Sequence, residues 1–94
     1  MILEWLPSAQ LDFEAIVDYI AADNPRAAIE QGDEIEHQVA GLLANRRCGR
    51  SGRVKNTREL VIVRTPYIAA YRILSDRIQI LRIIHGAQQW PDTI

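Results

Sequence analysis

Residues 59 to 85 read ELVIVR-TP-YIAAYRIL-SDR-IQILRIIH, and this stretch decides the fold. It contains three runs that are rich in β-branched and aromatic residues, which is the composition typical of strands. The runs are residues 59–64, 67–74 and 78–85. The turn signals Thr65-Pro66 and Ser75-Asp76-Arg77 separate them, and connections this short join antiparallel neighbours. The stretch therefore predicts three consecutive antiparallel strands.

The residues before this stretch predict a first strand and a first helix. Ile2 to Leu6 is mostly apolar and ends at Pro7, which suits a short strand. Ser8 then offers an N-cap, and four apolar residues follow at helical spacing. They are Phe13, Ile16, Val17 and Ile20. The pattern predicts a helix that ends near Ala22.

A second helix is predicted to begin at once. Asn24 is a good N-cap, and Pro25 suits the first helical position. The apolar face of this helix comprises Ala28, Gly32, Ile35, Val39 and Leu42. The expected order is β-α-α-β-β-β, an α+β fold in which a helical hairpin packs on one face of a small antiparallel sheet and the other face is partly open. The 94 residues, 48% of them hydrophobic, suit a single domain over residues 1–94.

Three arginines fall within the predicted strands, and alternation along a strand indicates which side of the sheet each residue faces. Ile78, Ile80, Arg82 and Ile84 are expected on one side of the last strand. Arg64, Arg72 and Arg82 come one from each of the three strands, so pairing could bring them close together. Alternatively, each pairs with a helix acid or extends to solvent, because an unpaired buried arginine is costly.

Charge is distributed unevenly along the chain. The first 45 residues hold nine acids and one base, whereas residues 46–94 hold ten bases and three acids. The segment 46–58, RRCGRSGRVKNTR, contains six bases and no acid: Arg46, Arg47, Arg50, Arg53, Lys55 and Arg58. A gathered positive surface indicates an anionic partner, and the alternative is a mobile, solvated loop.

Other features exclude some classes of protein. The single cysteine, Cys48, rules out an internal disulfide and a cysteine-based zinc site, and it fits a reducing compartment. No apolar run approaches the ~20 residues of a membrane span, and no leader sequence precedes the first strand, so we expect a cytoplasmic protein without a membrane partner. No motif indicates a metal or a cofactor.

Two residues near the C-terminal end of the sequence are candidates for function. Imidazole titrates near neutrality, so His85 is the best single candidate for a general acid or base. The residues alone favour the alternative, a histidine that only hydrogen-bonds a strand end or the C-terminal tail. Trp90 either packs onto the domain or anchors a partner.

The motifs between Gly49 and Pro91 resemble the RelE/ParE toxin superfamily. They are GRSGRV at residues 49–54, TREL at 57–60, TPYIAAYR at 65–72, ILR at 80–82 and IHGAQQWP at 84–91. The resemblance also covers the first strand and the helical hairpin. It implies the toxin of a type II toxin-antitoxin module, which a small and typically acidic antitoxin from the same operon neutralises.

The superfamily divides by target, and the resemblance leaves two options. ParE-like members poison DNA gyrase, and the motifs GRxGRV, TREL and TPYIxAYR are closer to that branch. RelE-like members cleave messenger RNA on the ribosome. In that case His85 would transfer protons while Arg58, Arg72 and Arg82 stabilise the charged phosphorus centre. Trp90 and the single lysine, Lys55, count against RelE chemistry, so we expect gyrase inhibition, and whether the chain is an enzyme stays open.

In either case the resemblance implies one binding surface for antitoxin and target. Its expected members are Arg46, Arg47, Arg50, Arg53, Lys55, Arg58, Arg64, Arg72, Arg82 and Trp90.

Overall fold

The computed structural model describes every residue from Met1 to Ile94 and contains two helices and five strands. In chain order the elements are β1 (Ile2–Trp5), α1 (Pro7–Ala21), α2 (Pro25–Ala40), a 3-10 turn (Gly41–Leu43), β2 (Arg50–Ser51), β3 (Arg58–Val61), β4 (Tyr67–Ile73) and β5 (Arg77–His85). The predicted α+β fold is confirmed. The additional strand is β2, which lies inside the basic segment.

The five strands form one sheet in the order β1-β5-β4-β3-β2. The pairs between β2, β3, β4 and β5 are antiparallel. The pair between β1 and β5 is parallel, with Leu3 opposite Ile78, so the prediction of a wholly antiparallel sheet is wrong at this edge. Two helices separate β1 from the rest of the sheet, and a connection of that length permits parallel pairing.

The two helices begin differently. Asn24 caps α2 as predicted, because its Oδ1 accepts a hydrogen bond from the Ala27 amide at 3.1 Å. The cap position of α1 is Leu6, which has no side-chain capping bond, and Pro7 occupies the first turn. The Ser8 hydroxyl instead donates to the Leu81 carbonyl oxygen at 2.8 Å. The predicted Ser8 cap is therefore wrong, and this hydroxyl ties the start of α1 to β5.

The helical hairpin covers one face of the sheet. All five residues predicted for the apolar face of α2 are buried. Gly32 lies where the helices meet, and a Cβ there would lie 3.4 Å from Val17 Cγ2, which is close to an ordinary packing contact. Ile35 is fully buried in the same core as Tyr71 and Ile80, and a buried isoleucine contributes about 1.5–3 kcal/mol.

A bulge changes the alternation along β5. Ala70 lies opposite Arg82, but Tyr71 lies opposite Ile80, so Leu81 is an extra residue. As a result Ile83, rather than Ile84, shares the helical core with Ile80, and the predicted side for Arg82 beside Ile78 and Ile80 is wrong. A bulge has no signal in this apolar run, because both faces of β5 are buried.

The sheet face away from the helices is more covered than predicted. Ile68 and Ile84 form a cross-strand pair, and both are buried. The chain beyond β5 turns back over this end of the sheet, where the Gly86 amide donates to the Pro66 carbonyl oxygen at 2.8 Å. A Cβ at Gly86 would lie 3.6 Å from Ile68 Cδ1. This face is therefore partly closed by the chain itself.

Candidate functional site

The basic segment, residues 46–58, is folded onto the sheet through Tyr71. The Tyr71 hydroxyl accepts from the Gly49 amide at 3.0 Å and donates to the Arg46 carbonyl oxygen at 2.8 Å. A Cβ at Gly49 would lie 2.5 Å from that hydroxyl and 2.8 Å from the Glu59 carbonyl oxygen, so only glycine fits. The alternative of a loop without fixed structure does not describe the backbone of this segment.

A short antiparallel pair and a tight turn complete the segment. Arg50 and Ser51 of β2 lie opposite Glu59 and Arg58 of β3. The turn between the strands places Asn56 at a φ of 64°, a conformation that asparagine tolerates better than most residues. Neighbouring residues of β3 point to opposite sides, which gives the segment two sides with different chemistry.

The first side is centred on Glu59, whose carboxylate is only 3% exposed. Arg50 donates to Oε1 through Nε at 3.2 Å and Nη2 at 3.0 Å. Arg53 donates to Oε2 through its backbone amide at 2.8 Å and Nε at 3.1 Å. Burial alone would raise the pKa of Glu59, but the hydrogen bonds from Arg53 and Arg50 outweigh it and leave this pKa below its usual value.

Arg53 also connects this side to the end of the chain. Its guanidinium carbon lies 3.8 Å from the centre of the Trp90 ring, a cation-π contact. Trp90 is half-buried, and its indole nitrogen is enclosed without a hydrogen-bond partner. Trp90 therefore packs on the domain, and the cluster Glu59–Arg50–Arg53–Trp90 uses two of the six bases internally.

The second side is centred on Arg58, which contacts no carboxylate. Its Nη2 donates to the carbonyl oxygens of Arg47 at 2.9 Å and Gly49 at 2.6 Å, and its Nε is buried without a partner. The Arg46, Arg47 and Lys55 side chains are exposed and form no ion pair. The bases of the segment whose charge is not compensated within the chain are therefore Arg46, Arg47, Lys55 and Arg58.

The arginines predicted for the three C-terminal strands do not lie together. Arg64 is beyond the end of β3, in a turn with a φ of 67°, so its assignment to a strand is wrong. It forms an ion pair with Glu34 of α2, and this hydrogen bond lowers the pKa of Glu34. A strand that stops at Val61 could not be distinguished from one that stops at Arg64, because the apolar run continues through Val63.

Arg82 and Arg72 have different partners. Arg82 Nε donates to Asp12 Oδ2 of α1 at 2.6 Å, and this bond raises the pKa of the guanidinium. Arg72 is exposed on β4, and its Nε donates to Gln79 at 2.6 Å. The alternative weighed from the sequence, pairing with helix acids, describes Arg64 and Arg82.

His85 lies at the other end of the sheet from Arg72. The partner of Arg72 is Gln79, six residues before His85 along β5, which corresponds to roughly 20 Å. The Nδ1 atom of His85 accepts from the Ala87 amide at 3.0 Å, and the ring packs edge-on against Tyr67 at 5.6 Å. Burial raises the pKa of the Tyr67 phenol, with a smaller contribution from Tyr19, so this phenol stays protonated.

Two residues that organise the site were not predicted from the sequence. Tyr71 and Glu59 were noted only as parts of motifs, yet together they fix the conformation of the basic segment. The sequence did contain a signal for the role of Glu59. It is the only acid between residues 37 and 75, and it directly follows a segment with six bases.

No three histidine, cysteine or carboxylate side chains lie close enough to hold a metal ion. Neither helix has the length and apolar character needed to cross a membrane.

Comparison with known proteins gives consistent matches over nearly the whole chain. A family model described as the ParE toxin of the type II toxin-antitoxin system parDE matches residues 3–90. The Sinorhizobium fredii protein Y4kP, whose name describes it provisionally as a toxin, is 39% identical over 92 residues, which is 98% of this chain and 95% of that protein. Toxin RelE1 of Caulobacter vibrioides is 31% identical over 83 residues, or 86% and 88% of the two chains.

A solved structure has the same fold. A chain of the chromosomal ParDE toxin-antitoxin system from P. aeruginosa superposes with a TM-score of 0.83 at 35% identity, covering 90% of this chain and 95% of that one. The resemblance seen in the motifs is thus confirmed over residues 3–90, and the chain belongs to the ParE toxin family of type II toxin-antitoxin systems.

Proposed function

We propose that this toxin acts by binding and inhibiting DNA gyrase, and that a cognate antitoxin holds it inactive in the cytoplasm. The observation that carries the proposal is the separation of the residues that RNA cleavage would require. His85 lies roughly 20 Å along β5 from the partner of Arg72. Arg82 is engaged by Asp12, so its charge is already compensated.

The hydrogen bonding of His85 supports the same conclusion. Because the Ala87 amide donates to Nδ1, the lone pair of that ring nitrogen is occupied. A general base needs a free nitrogen lone pair, so His85 could accept a proton only after this bond breaks. Action by binding needs no such group.

The antitoxin part of the proposal rests on family membership and on charge. The ParDE structure that this chain resembles is a toxin-antitoxin system. On this chain, Arg46, Arg47, Lys55 and Arg58 form no ion pair, which leaves a positive surface for an acidic partner. Such a surface accelerates encounter with a partner of opposite charge and depends on ionic strength.

The direct test is a supercoiling and cleavage-complex assay with purified gyrase. We expect the chain to inhibit supercoiling at micromolar concentration and to trap cleaved DNA, and we expect the antitoxin from the same operon to reverse both effects. Full gyrase activity in the presence of a folded chain that still arrests growth in cells would reject gyrase as the target.

Messenger RNA cleavage is the second candidate, and the 31% identity to Toxin RelE1 of Caulobacter vibrioides is the observation that favours it. Primer extension on translated messages after induction tests it. Cleavage that is lost in His85→Gln but kept in His37→Gln would establish this alternative, because His37 is an exposed histidine on α2 that serves as a matched control.

A further inference from the structure

A small polar cleft lies beside Arg58, on the side of β3 away from the Glu59 carboxylate. Its volume is about 390 Å³, and we call it the Arg58 cleft. It is lined by Arg47, Ser51, Asn56, Thr57, Arg58 and Ile73. Two of these side chains are positively charged, three are polar and uncharged, and none is acidic.

The Arg58 guanidinium is held in place without being neutralised. Both hydrogens of Nη2 are used by the carbonyl oxygens of Arg47 and Gly49. Carbonyl oxygens orient a guanidinium but do not cancel its charge. Because Nε is enclosed without an acceptor and Nη1 has no partner in the chain, Arg58 carries an unmatched positive charge at the cleft.

The backbone around the cleft is fixed before any ligand arrives. The Gly52 amide donates to the Thr57 carbonyl oxygen at 2.8 Å, and the Thr57 hydroxyl donates to the Val54 carbonyl oxygen at 2.6 Å. The Tyr71 hydroxyl fixes the other strand of the segment through Gly49. A ligand therefore incurs little ordering cost when it binds, which is the usual basis of a preformed site.

The arrangement of donors distinguishes between kinds of anion. A planar carboxylate is bound best by two adjacent nitrogens of one guanidinium. On Arg58 both adjacent pairs include Nη2, which is already saturated, so this bidentate mode is blocked. The remaining donors belong to separate groups, namely Nη1 of Arg58, the Arg47 guanidinium, the Ser51 hydroxyl and the Asn56 amide, and of these only Arg47 could still bind a carboxylate through two nitrogens. Single donors from several directions suit a tetrahedral oxyanion.

We propose that the Arg58 cleft is a phosphate-binding site. The ligand is a phosphate group, which comes either from a nucleic-acid backbone or from a free nucleotide. The site is independent of the choice between gyrase and messenger RNA, since it requires only that phosphate is present at the target or in solution. The Glu59 side of the same segment has no such role, because its arginines already bind a carboxylate.

The test is a titration of the purified, folded chain with inorganic phosphate at constant ionic strength, followed by two-dimensional NMR. We expect saturable shifts confined to the amides of Ser51, Asn56 and Thr57 and to the Arg58 side chain. Loss of one charge-assisted hydrogen bond should weaken binding about tenfold in Arg58→Gln and in Arg47→Gln. Arg47 is exposed, so its variant reports on binding even if Arg58→Gln does not fold.

The matched control is Arg26→Gln, which removes another exposed charge, on α2, and should leave phosphate affinity unchanged. Equal weakening in Arg26→Gln, shifts spread over the whole basic segment, or no saturation would overturn the proposal. Acetate that binds as tightly as phosphate would also overturn it, since the cleft would then be a carboxylate site.

Two further arms identify the source of the phosphate. Tighter binding of a short DNA duplex than of a nucleoside monophosphate, with a steep loss of affinity as salt rises, supports a nucleic-acid source. Equal binding of the two supports a free nucleotide. Binding of DNA that is unaffected by both Arg47→Gln and Arg58→Gln would show that the cleft is not used and would overturn the proposal.

Discussion

Arg58 and Glu59 are neighbours in β3, yet the two sides of the basic segment that they define differ in almost every respect. On the Glu59 side, Arg50 and Arg53 surround a buried carboxylate, and Trp90 packs on Arg53. On the Arg58 side, the arginine is held by carbonyl oxygens and has no acidic partner. Because successive residues of a strand point to opposite sides, the arginines that pair with Glu59 lie on one side and the unpaired Arg58 lies on the other.

The number of bases in the segment therefore overstates the positive charge that is available to a binding partner. Arg50 and Arg53 are compensated within the chain, whereas Arg46, Arg47, Lys55 and Arg58 are not. Changes on the Glu59 side should therefore act on stability, and changes on the Arg58 side should act on binding.

The largest expected effect is that of Glu59→Gln, which replaces an acceptor with an amide whose NH₂ group faces arginine donors. Breaking this buried network should lower the free energy of unfolding by about 3 kcal/mol. Urea denaturation measures it, and Glu36→Gln, an exposed acid on α2 without an ion pair, is the control. A loss no larger than that of the control would mean that the Glu59 side does not stabilise the fold.

Tyr71→Phe should have the next largest effect, because the Tyr71 hydroxyl anchors the start of the basic segment through the backbone of Arg46 and Gly49. Its removal leaves the Gly49 amide and the Arg46 carbonyl oxygen without their partner, at a cost of about 2 kcal/mol in unfolding free energy. Tyr19→Phe removes a hydroxyl from a tyrosine that is 81% exposed and should cost nothing measurable. Similar values for the two variants would contradict the anchoring role.

The difference in stability between the wild type and Glu59→Gln should shrink as the pH falls. The pKa of Glu59 is lowered in the folded chain, so its ionised form stabilises the fold above the ordinary carboxyl value of about 4.3. That stabilisation is lost as pH falls through the folded pKa, and the glutamine variant has none to lose. Denaturation curves at neutral pH and near pH 3 check it. A difference that grows at acid pH would contradict the lowered pKa.

Trp90→Leu should have a smaller effect, about 1 kcal/mol of unfolding free energy, since leucine keeps the apolar contact but loses the attraction of the ring for Arg53. Trp90→Phe should retain part of it. Thermal denaturation of the three proteins should rank them wild type, phenylalanine, leucine. The reverse order for the two variants would show that the ring face does not matter.

The smallest effect on stability is expected for Arg47→Gln, because this exposed side chain makes no ion pair. Its unfolding free energy should stay within about 0.5 kcal/mol of the wild type. Phosphate affinity should nevertheless fall. A clearly lower unfolding free energy for Arg47→Gln would contradict the assignment of this side to binding and not to stability.

The helices and strands could be predicted from the sequence because the spacing of apolar residues reflects which side of each element is buried. The buried face of α2 follows from spacing and its N-cap follows from the Asn24-Pro25 pair, and both are found as predicted. Bulges and pairing direction leave no such pattern. The extra residue Leu81 in β5 and the parallel pairing of β1 depend on contacts between distant parts of the chain.

The candidate site was harder to predict for a related reason. The basic segment stood out by composition, but which bases are compensated depends on where Glu59, Glu34 and Asp12 lie in three dimensions. No local pattern pairs Arg82 with Asp12, which is 70 residues away. Ion pairs between residues far apart in the sequence therefore cannot be predicted from composition.

The parallel pairing of β1 with β5 also sets an order for folding. Glu4 of β1 contacts Gln79 of β5 across 75 residues of sequence, so the first strand to be synthesised has no partner until the last has been made. Closing so long a loop is slow compared with forming the local helical hairpin. During synthesis the acidic hairpin should therefore form while the basic half is still unpaired, and a partner that recognises the completed sheet can bind only after β5 has been made.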